Sequence, residues 1–191
     1  MHEPLHNAMP SAVHLGVAGW SVPGVHREHF TSQGTHLARY AQRFNAVEIN
    51  SSFYRPHRPA TYARWAESTP DDFRFAVKMP RTITHQAQLA DRDAELDEFL
   101  GQVHTLGQKL GPLLVQFPPS LACRPDVAAR FFDRLRERHP GDVVCEPRHM
   151  SWFTDEAKAQ GNRTLSCDVE DGCEGVMVPS GPFSFAADAA G

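Results

Sequence analysis

Long hydrophobic runs are absent from this sequence of 191 residues. No apolar stretch approaches the roughly 20 residues that a membrane-spanning helix needs. The opening MHEPLHNAMP contains acid and histidine but no hydrophobic segment, so it does not have the pattern of a secretory signal. We expect residues 1–12 to be a disordered lead-in and the protein to be cytoplasmic, with no membrane partner.

Concentrated positive charge is also absent. Lys and Arg number 19 against 23 Asp and Glu, which gives a formal net charge of −4, and the basic residues form no run. Binding to nucleic acid depends on clustered positive charge, so a nucleic-acid partner is not indicated. The partner that we expect is a small-molecule ligand.

Cysteine is scarce, and its spacing excludes two kinds of site. Cys123, Cys145, Cys167 and Cys173 form no C-x-x-C pair, which argues against a disulfide framework and against a zinc centre. The sequence also lacks a glycine-rich phosphate loop and the motifs G-x-S-x-G and H-E-x-x-H. We therefore expect free thiols and can assign no cofactor.

The chain does contain an alternation of short β-type runs with amphipathic stripes. The predicted strands are 13–20, 46–50, 73–78, 112–117, 142–146 and 163–167. The clearest helical stripe runs from Leu96 to Leu110, and we expect Gly111 to end it. This alternation predicts an α/β fold with a parallel sheet, but it does not distinguish a closed barrel from an open doubly wound sheet. After Asp168 the pattern fails, apart from one strand expected near Val176.

Polar residues stand at the carboxyl ends of four successive predicted strands. They are Glu48 with Asn50, then Lys78, Gln116 and Glu146. Alternate residues of a strand face the same side, so Glu48 and Asn50 share one face. In barrels and open α/β sheets alike, this edge holds the binding site.

Five segments, in order, resemble the YecE-like family, also called domain of unknown function 72. They are GVAGWS at 16–21, YAQRFNAVEINSSFYRPHRPATYARWA at 40–66, FRFAVKMPRTITH at 73–85, LGQKLGPLLVQFPPS at 106–120 and EPRHMSW at 146–152. The resemblance implies a TIM-type (β/α)8 barrel and an activity that has not been assigned. The family's motif positions fall on Trp20, Glu48, Asn50, Tyr54, Lys78, Thr84, His85, Gln116, Glu146, Arg148, His149 and Trp152.

The sequence departs from the family pattern in two places. Val17 and Ala18 stand where the family often has Thr and then Ser or Ala, which removes a hydroxyl. The later strands of the family have no counterpart here, so we expect an incomplete barrel of about six βα units over residues 13–168. We expect an irregular tail over residues 169–191, which a frameshift or a truncated gene would explain. Unpaired barrel edges would then favour self-association.

These residue types suggest an acid/base site. Two carboxylates in one pocket can divide acid and base roles, and basic side chains can bind a charged ligand. We assign Glu48, Glu146, Lys78 and His149 as catalytic. We assign Trp20, Asn50, Tyr54, His85, Gln116, Arg148 and Trp152 as ligand-binding. No metal is assigned, although Glu48, His85, Glu146 and His149 are residue types that bind metals.

Several alternatives remain open at this stage. Glu48 could form an ion pair with Lys78, and Glu146 could pair with Arg148 or His149. Lys78 could form a Schiff base or hold an anionic group. The leading hypothesis is a barrel enzyme, a hydrolase, lyase or isomerase, acting on a small polar, anionic or sugar-like ligand. The others are a non-catalytic binding or scaffold barrel and a non-functional fragment.

Overall fold

The computed structural model describes residues 13–90 and 92–153, and the backbone of residues 176–178. Its centre is a sheet whose strand order follows the chain. The strands are β1 (Ala46–Ile49), β2 (Arg74–Lys78), β3 (Leu110–Gln116), β4 (Val143–Glu146) and β5 (Val176–Val178). Strands β1 to β4 are parallel, which confirms the α/β class and the predicted strands at 46–50, 73–78, 112–117 and 142–146.

In the described part of the chain, four α-helices lie between or before the parallel strands. They are α1 (His36–Tyr40), α2 (Pro59–Glu67), α3 (Asp93–Val103) and α4 (Pro125–Arg138). The start of α4 follows its sequence, because Pro125 occupies the first turn, where a missing N–H costs nothing, and Asp126 complements the helix dipole. Within the described residues, none of these helices is both long and apolar enough to cross a membrane.

Short 3-10 and π turns connect these elements. The 3-10 turns are Gly24–His29, Ser51–Phe53, His104–Lys109 and Met150–Phe153, and the π turn is Thr82–Gln86. The prediction that one helix extends to Gly111 was wrong. Helix α3 ends at Val103, and Gly107 adopts a φ of 60°, a left-handed conformation that side chains other than glycine rarely tolerate. The apolar stripe continues through this kink because Leu106 is still buried.

The predicted first strand runs beside β1. Its pairing to β1 is a single parallel bridge between Ala18 and Glu48. The amide of Glu48 donates to Val17 O at 3.1 Å, and the amide of Gly19 donates to Glu48 O at 2.9 Å. The buried Tyr40 reinforces this edge, because its hydroxyl accepts a hydrogen bond from the Val17 amide at 3.0 Å.

The hydrophobic core lies between the sheet and the helices. Side chains on one face of β1, β2 and β3 have no exposed surface, among them Val47, Phe75 and Val115. They form a single buried cluster with residues of the helices, such as Phe99 of α3 and Phe131 of α4. Burial of this face fixes the register of the strands, since a slip of one residue would turn the apolar side chains away from the core.

The outer edge of β4 is paired with β5. The two strands run antiparallel, with Val143 opposite Val178 and Cys145 opposite Val176. This confirms the strand expected near Val176, although a purely parallel repetition did not predict its direction. Either direction satisfies the N–H and C=O groups along an edge. The predicted strand at 163–167, the lead-in at 1–12 and the rest of the tail lie outside the described residues.

Candidate functional site

The four polar residues at the strand ends share one face of the sheet. Gln116 is in register with Glu146, Lys78 with Leu114, and Glu48 with Ala76. Partners in a parallel register point to the same side, and so do residues two apart along a strand. Glu48, Lys78, Gln116 and Glu146 therefore lie opposite the apolar core. Glu48 is in register with Ala76, so it lies two residues further from the carboxyl edge than Lys78.

Glu146 is held by its neighbours through three hydrogen bonds. Gln116 Nε2 donates to Oε2 at 2.8 Å. Arg148 donates to Oε1 from Nε at 2.9 Å and from Nη2 at 2.8 Å. Hydrogen bonds with two charged partners are roughly twice as strong as neutral ones. The pairing of Glu146 with Arg148, one of the open alternatives, is confirmed, and it leaves the carboxylate as a fixed negative charge.

Lys78 stands over an aromatic ring, with Nζ 5.0 Å from the centroid of Phe53. This is a cation–π contact, which stabilises the ammonium without neutralising it. An ion pair between Glu48 and Lys78 stays a prediction. The Lys78 ammonium lies on the half-buried polar face, over the Phe53 ring.

His85 lies within electrostatic range of both Lys78 and Arg148. Its ring packs edge-on against Phe53, with centroids 4.8 Å apart, and its Nδ1 is 2.9 Å from Thr84 Oγ1. Burial lowers the pKa of His85 below its usual value, and the positive charges of Lys78, Arg148 and Arg81 lower this pKa further. The imidazole is therefore neutral at physiological pH. We call Lys78, His85, Gln116, Glu146 and Arg148 the strand-end cluster.

Three other predicted site residues lie near β1 or in the turn that follows it. Trp20 packs edge-on against Trp65 at 4.9 Å between centroids, so its ring contributes to packing. Asn50 begins the Ser51–Phe53 turn, and its buried Oδ1 has no hydrogen-bond partner in the described part of the chain. Tyr54 is 70% exposed, with its ring against the edge of Phe53.

Two of the three predicted site residues after β4, His149 and Trp152, belong to local networks. His149 Nδ1 accepts a hydrogen bond from the Ser151 amide at 3.2 Å and lies 2.8 Å from Ser151 Oγ. Trp152 is buried, stacks on Phe117 with centroids 4.5 Å apart, and donates from Nε1 to Leu121 O at 2.8 Å. The structure thus places Trp152 in the core and does not bring it to the strand-end cluster.

Some residues near the site were not singled out from the sequence. Phe53 contacts both Lys78 and His85, and the positive charge of Arg81 acts on His85. Ser51 Oγ lies 2.7 Å from His57 Nε2, a second polar contact in the turn after β1. The sequence places Ser51 and Phe53 directly after the polar carboxyl end of β1, and this position could have indicated that they lie near the site. The residues that they contact depend on tertiary packing and could not be predicted.

The other reactive groups to consider among the described residues are metal-binding side chains and thiols. Across residues 13–90 and 92–153, no three His, Cys, Asp or Glu side chains form a group that could hold a metal ion. Cys123 and Cys145 are free thiols, and burial raises the pKa of both above the ordinary value. A buried thiol with a raised pKa is a poor nucleophile, so neither group adds reactive chemistry.

Sequence comparison places the chain in a family whose members lack an assigned function. The family model "Protein of unknown function DUF72" matches residues 14–169, and the chain belongs to this family. It is 35% identical over 178 residues to the UPF0759 protein YecE of Escherichia coli (strain K12), covering 91% of this chain and 61% of that protein. It is 29% identical over 153 residues to the UPF0759 protein YunF of Bacillus subtilis (strain 168), covering 74% and 52%.

Solved structures of the same family share the fold. A DUF72 family protein from Thermotoga maritima MSB8 aligns with a TM-score of 0.63 and 26% identity, over 79% of this chain and 61% of that one. A DUF72 family protein from Enterococcus faecalis V583 aligns with a TM-score of 0.64 and 24% identity, over 78% and 55%. The chain spans about three fifths of the length of YecE.

Proposed function

We propose that the strand-end cluster binds a small ligand through an anionic group, at the carboxyl edge of a partial TIM-type barrel spanning residues 13–168. The observation that carries the proposal is the balance of charge. Lys78, Arg148 and Arg81 all act on His85 as positive charges, whereas the carboxylates on this face of the described sheet are Glu146 and Glu48. Arginine and lysine are the residues that most often bind carboxylate and phosphate groups. The excess positive charge favours an oxyanion.

Roles within the site follow from the hydrogen bonds. Glu146, fixed by Gln116 and Arg148, would orient the guanidinium rather than exchange protons. Glu48 would supply the acid/base carboxylate, and the neutral His85 would accept a proton from the ligand. His149 would assist from the loop after β4, and Asn50 would position polar groups of the ligand. This division supports an enzyme of the hydrolase, lyase or isomerase type.

A non-catalytic binding protein is the second candidate, and one observation favours it. Both carboxylate oxygens of Glu146 already accept hydrogen bonds within the cluster, as expected of a residue that maintains a binding surface. The two candidates differ in whether a bound ligand is converted. Recovery of unchanged ligand after long incubation with a full-length relative would favour binding alone.

The substitution Lys78→Met tests the anion site. We expect inorganic phosphate to bind the wild-type chain and to shift the amide signals of residues 78–86 and 146–149 in NMR spectra. Loss of the ammonium should weaken this binding by about tenfold or more, since a charge-assisted contact is removed. Arg64→Met removes the same charge from the exposed side of α2 and serves as the control.

Two results would contradict the anion site. One is equal phosphate affinity in Lys78→Met and Arg64→Met. The other is a set of shifted signals spread over the basic surface rather than confined to the cluster. Amide spectra of the unligated variants show whether each has kept its fold, so a loss of binding caused by unfolding is recognised.

We also propose that the chain self-associates through the edge formed by its first strand. Val13, Leu15 and Val17 are 80%, 56% and 48% exposed, on one side of an extended segment. Alternating apolar residues at a sheet edge favour pairing with another strand. Sedimentation velocity should show dimers or larger species that dissociate when Leu15 is replaced by lysine. A concentration-independent monomer would disprove self-association.

A further inference from the structure

A cavity lies outside the sheet, between α3, the loop before α2 and the π turn Thr82–Gln86. It has a volume of about 60 Å³ and opens to solvent. Its apolar walls are formed by Pro56, Pro80, Ile83 and Phe99. The strand-end cluster contributes none of the residues that line it, so this cavity is a separate feature of the molecule.

One side of the cavity carries oxygen acceptors from α3. Glu95, Glu98 and Gln102 are three and then four residues apart, which places them along one face of the helix. Glu95 Oε1 accepts a hydrogen bond from Arg92 at 2.7 Å, and Gln102 Nε2 donates to Glu98 Oε1 at 3.1 Å. The remaining acceptors are Glu95 Oε2, Gln102 Oε1 and the second oxygen of Glu98.

Two of these acceptors are buried without a donor. Glu95 Oε2 and Gln102 Oε1 have no hydrogen-bond partner in the part of the chain that the structure describes, and Gln102 is only 9% exposed. The bond from Gln102 Nε2 to the Glu98 carboxylate fixes the orientation of the amide, because the reversed amide would set two oxygens against each other. An unpaired buried acceptor is costly, so the cavity favours a ligand that donates hydrogen bonds.

We propose that this cavity binds the primary ammonium group of an aliphatic amine. An ammonium has three N–H donors and a positive charge, which complement the two unpaired buried oxygens, Glu95 Oε2 and Gln102 Oε1, and the charge of the Glu98 carboxylate. The methylene stem of the amine would pack on the proline, isoleucine and phenylalanine walls, as lysine stems do on apolar surfaces.

A metal ion fits this cavity less well than an ammonium. Calcium takes six to eight oxygen ligands, and magnesium needs near-octahedral geometry. The cavity offers oxygens mainly from three side chains of one helix, and one oxygen of Glu98 is already bonded to Gln102. Its apolar walls would also leave much of the coordination sphere of a metal without partners.

Binding of n-butylammonium chloride to the full chain tests the proposal, with n-butanol as the uncharged probe of similar shape. We expect saturable amide shifts confined to residues 80–83 and 95–102 with the ammonium and none with the alcohol. Glu95→Gln and Gln102→Leu should each weaken binding by about tenfold, because each removes an acceptor. Glu67→Gln, which removes a charge from the exposed end of α2, should leave it unchanged.

The proposal is overturned if butylammonium causes no saturable shift in the wild-type chain, or if Glu95→Gln and Glu67→Gln behave alike. It is also overturned if calcium or magnesium chloride saturates the cavity at lower concentration than the amine. Should either cavity variant fail to fold, the wild-type shift map and the comparison with butanol still decide the outcome.

Discussion

Replacing Trp152 with alanine is expected to destabilise the fold by about 3–5 kcal/mol, the usual cost of removing a large aromatic side chain from a core. Trp152 is 8% exposed and stacks on the fully buried Phe117. Its indole N–H is bonded to Leu121 O at 2.8 Å, so the substitution also leaves a carbonyl group without its donor. Urea unfolding followed by circular dichroism measures the loss of free energy.

Tyr54→Ala is the matched control for this experiment. The motif positions of the family suggested both aromatic residues as ligand-binding, but Tyr54 is 70% exposed. Its replacement should change the free energy of unfolding by no more than about 0.5 kcal/mol, as is usual for surface substitutions. Substitution of a core tryptophan by alanine usually costs several kcal/mol. If Trp152→Ala lowers the free energy of unfolding by less than about 1 kcal/mol, Trp152 is not part of the core.

Acidification is expected to destabilise the protein through His139. This residue is 3% exposed, and burial lowers the pKa of its imidazole to about 4 from the ordinary 6.5. The positive charges of His104 and Arg136 lower this pKa further, while the Asp142 backbone partly opposes them. His104 Nε2 and His139 Nδ1 are 3.1 Å apart, so protonating both rings would place two donors against each other.

The sign of the effect follows from proton linkage. Because the unfolded chain binds a proton at His139 more readily than the folded chain, the stabilisation is complete above pH 6.5 and is lost as the pH falls towards 4. The difference in pKa corresponds to about 3 kcal/mol. Urea unfolding at several pH values should therefore show a steeper loss of stability for the wild type than for His139→Phe.

Other groups titrate in the same range, and the variant accounts for them. His57 and His85 also have lowered pKa values, and the pKa of Asp142 is raised by burial. Their contributions are common to the wild type and to His139→Phe, so the difference between the two pH profiles reports His139 together with its coupling to His104. Parallel profiles would refute the assignment.

The strands of the sheet were predictable because local sequence determines them. The runs around Val47, Phe75, Val115 and Val144 combine β-branched or aromatic residues with turn signals at both ends. The shared polar face was also predictable, since strand alternation and parallel pairing relate Glu48, Lys78, Gln116 and Glu146 geometrically. The bond between Gln116 and Glu146 follows directly from their opposition in register.

Features that depend on loops or on distant contacts could not be predicted. The position of His85 against Phe53 joins two separate loops, and neither loop determines it alone. The contact between His104 and His139 joins residues 35 positions apart, among eleven histidines that gave no pairing signal. The kink at Gly107 was missed because the apolar spacing continues through it, and the antiparallel direction of β5 leaves no mark in its three residues.

The agreement between strand order and chain order has a consequence for biosynthesis. Each parallel strand from β2 to β4 pairs with the strand immediately before it in the sequence, with a single crossover between them. Every unit can therefore dock onto an already folded neighbour as it leaves the ribosome, without waiting for a segment still to be translated. The N-terminal units thus provide a template for those that follow.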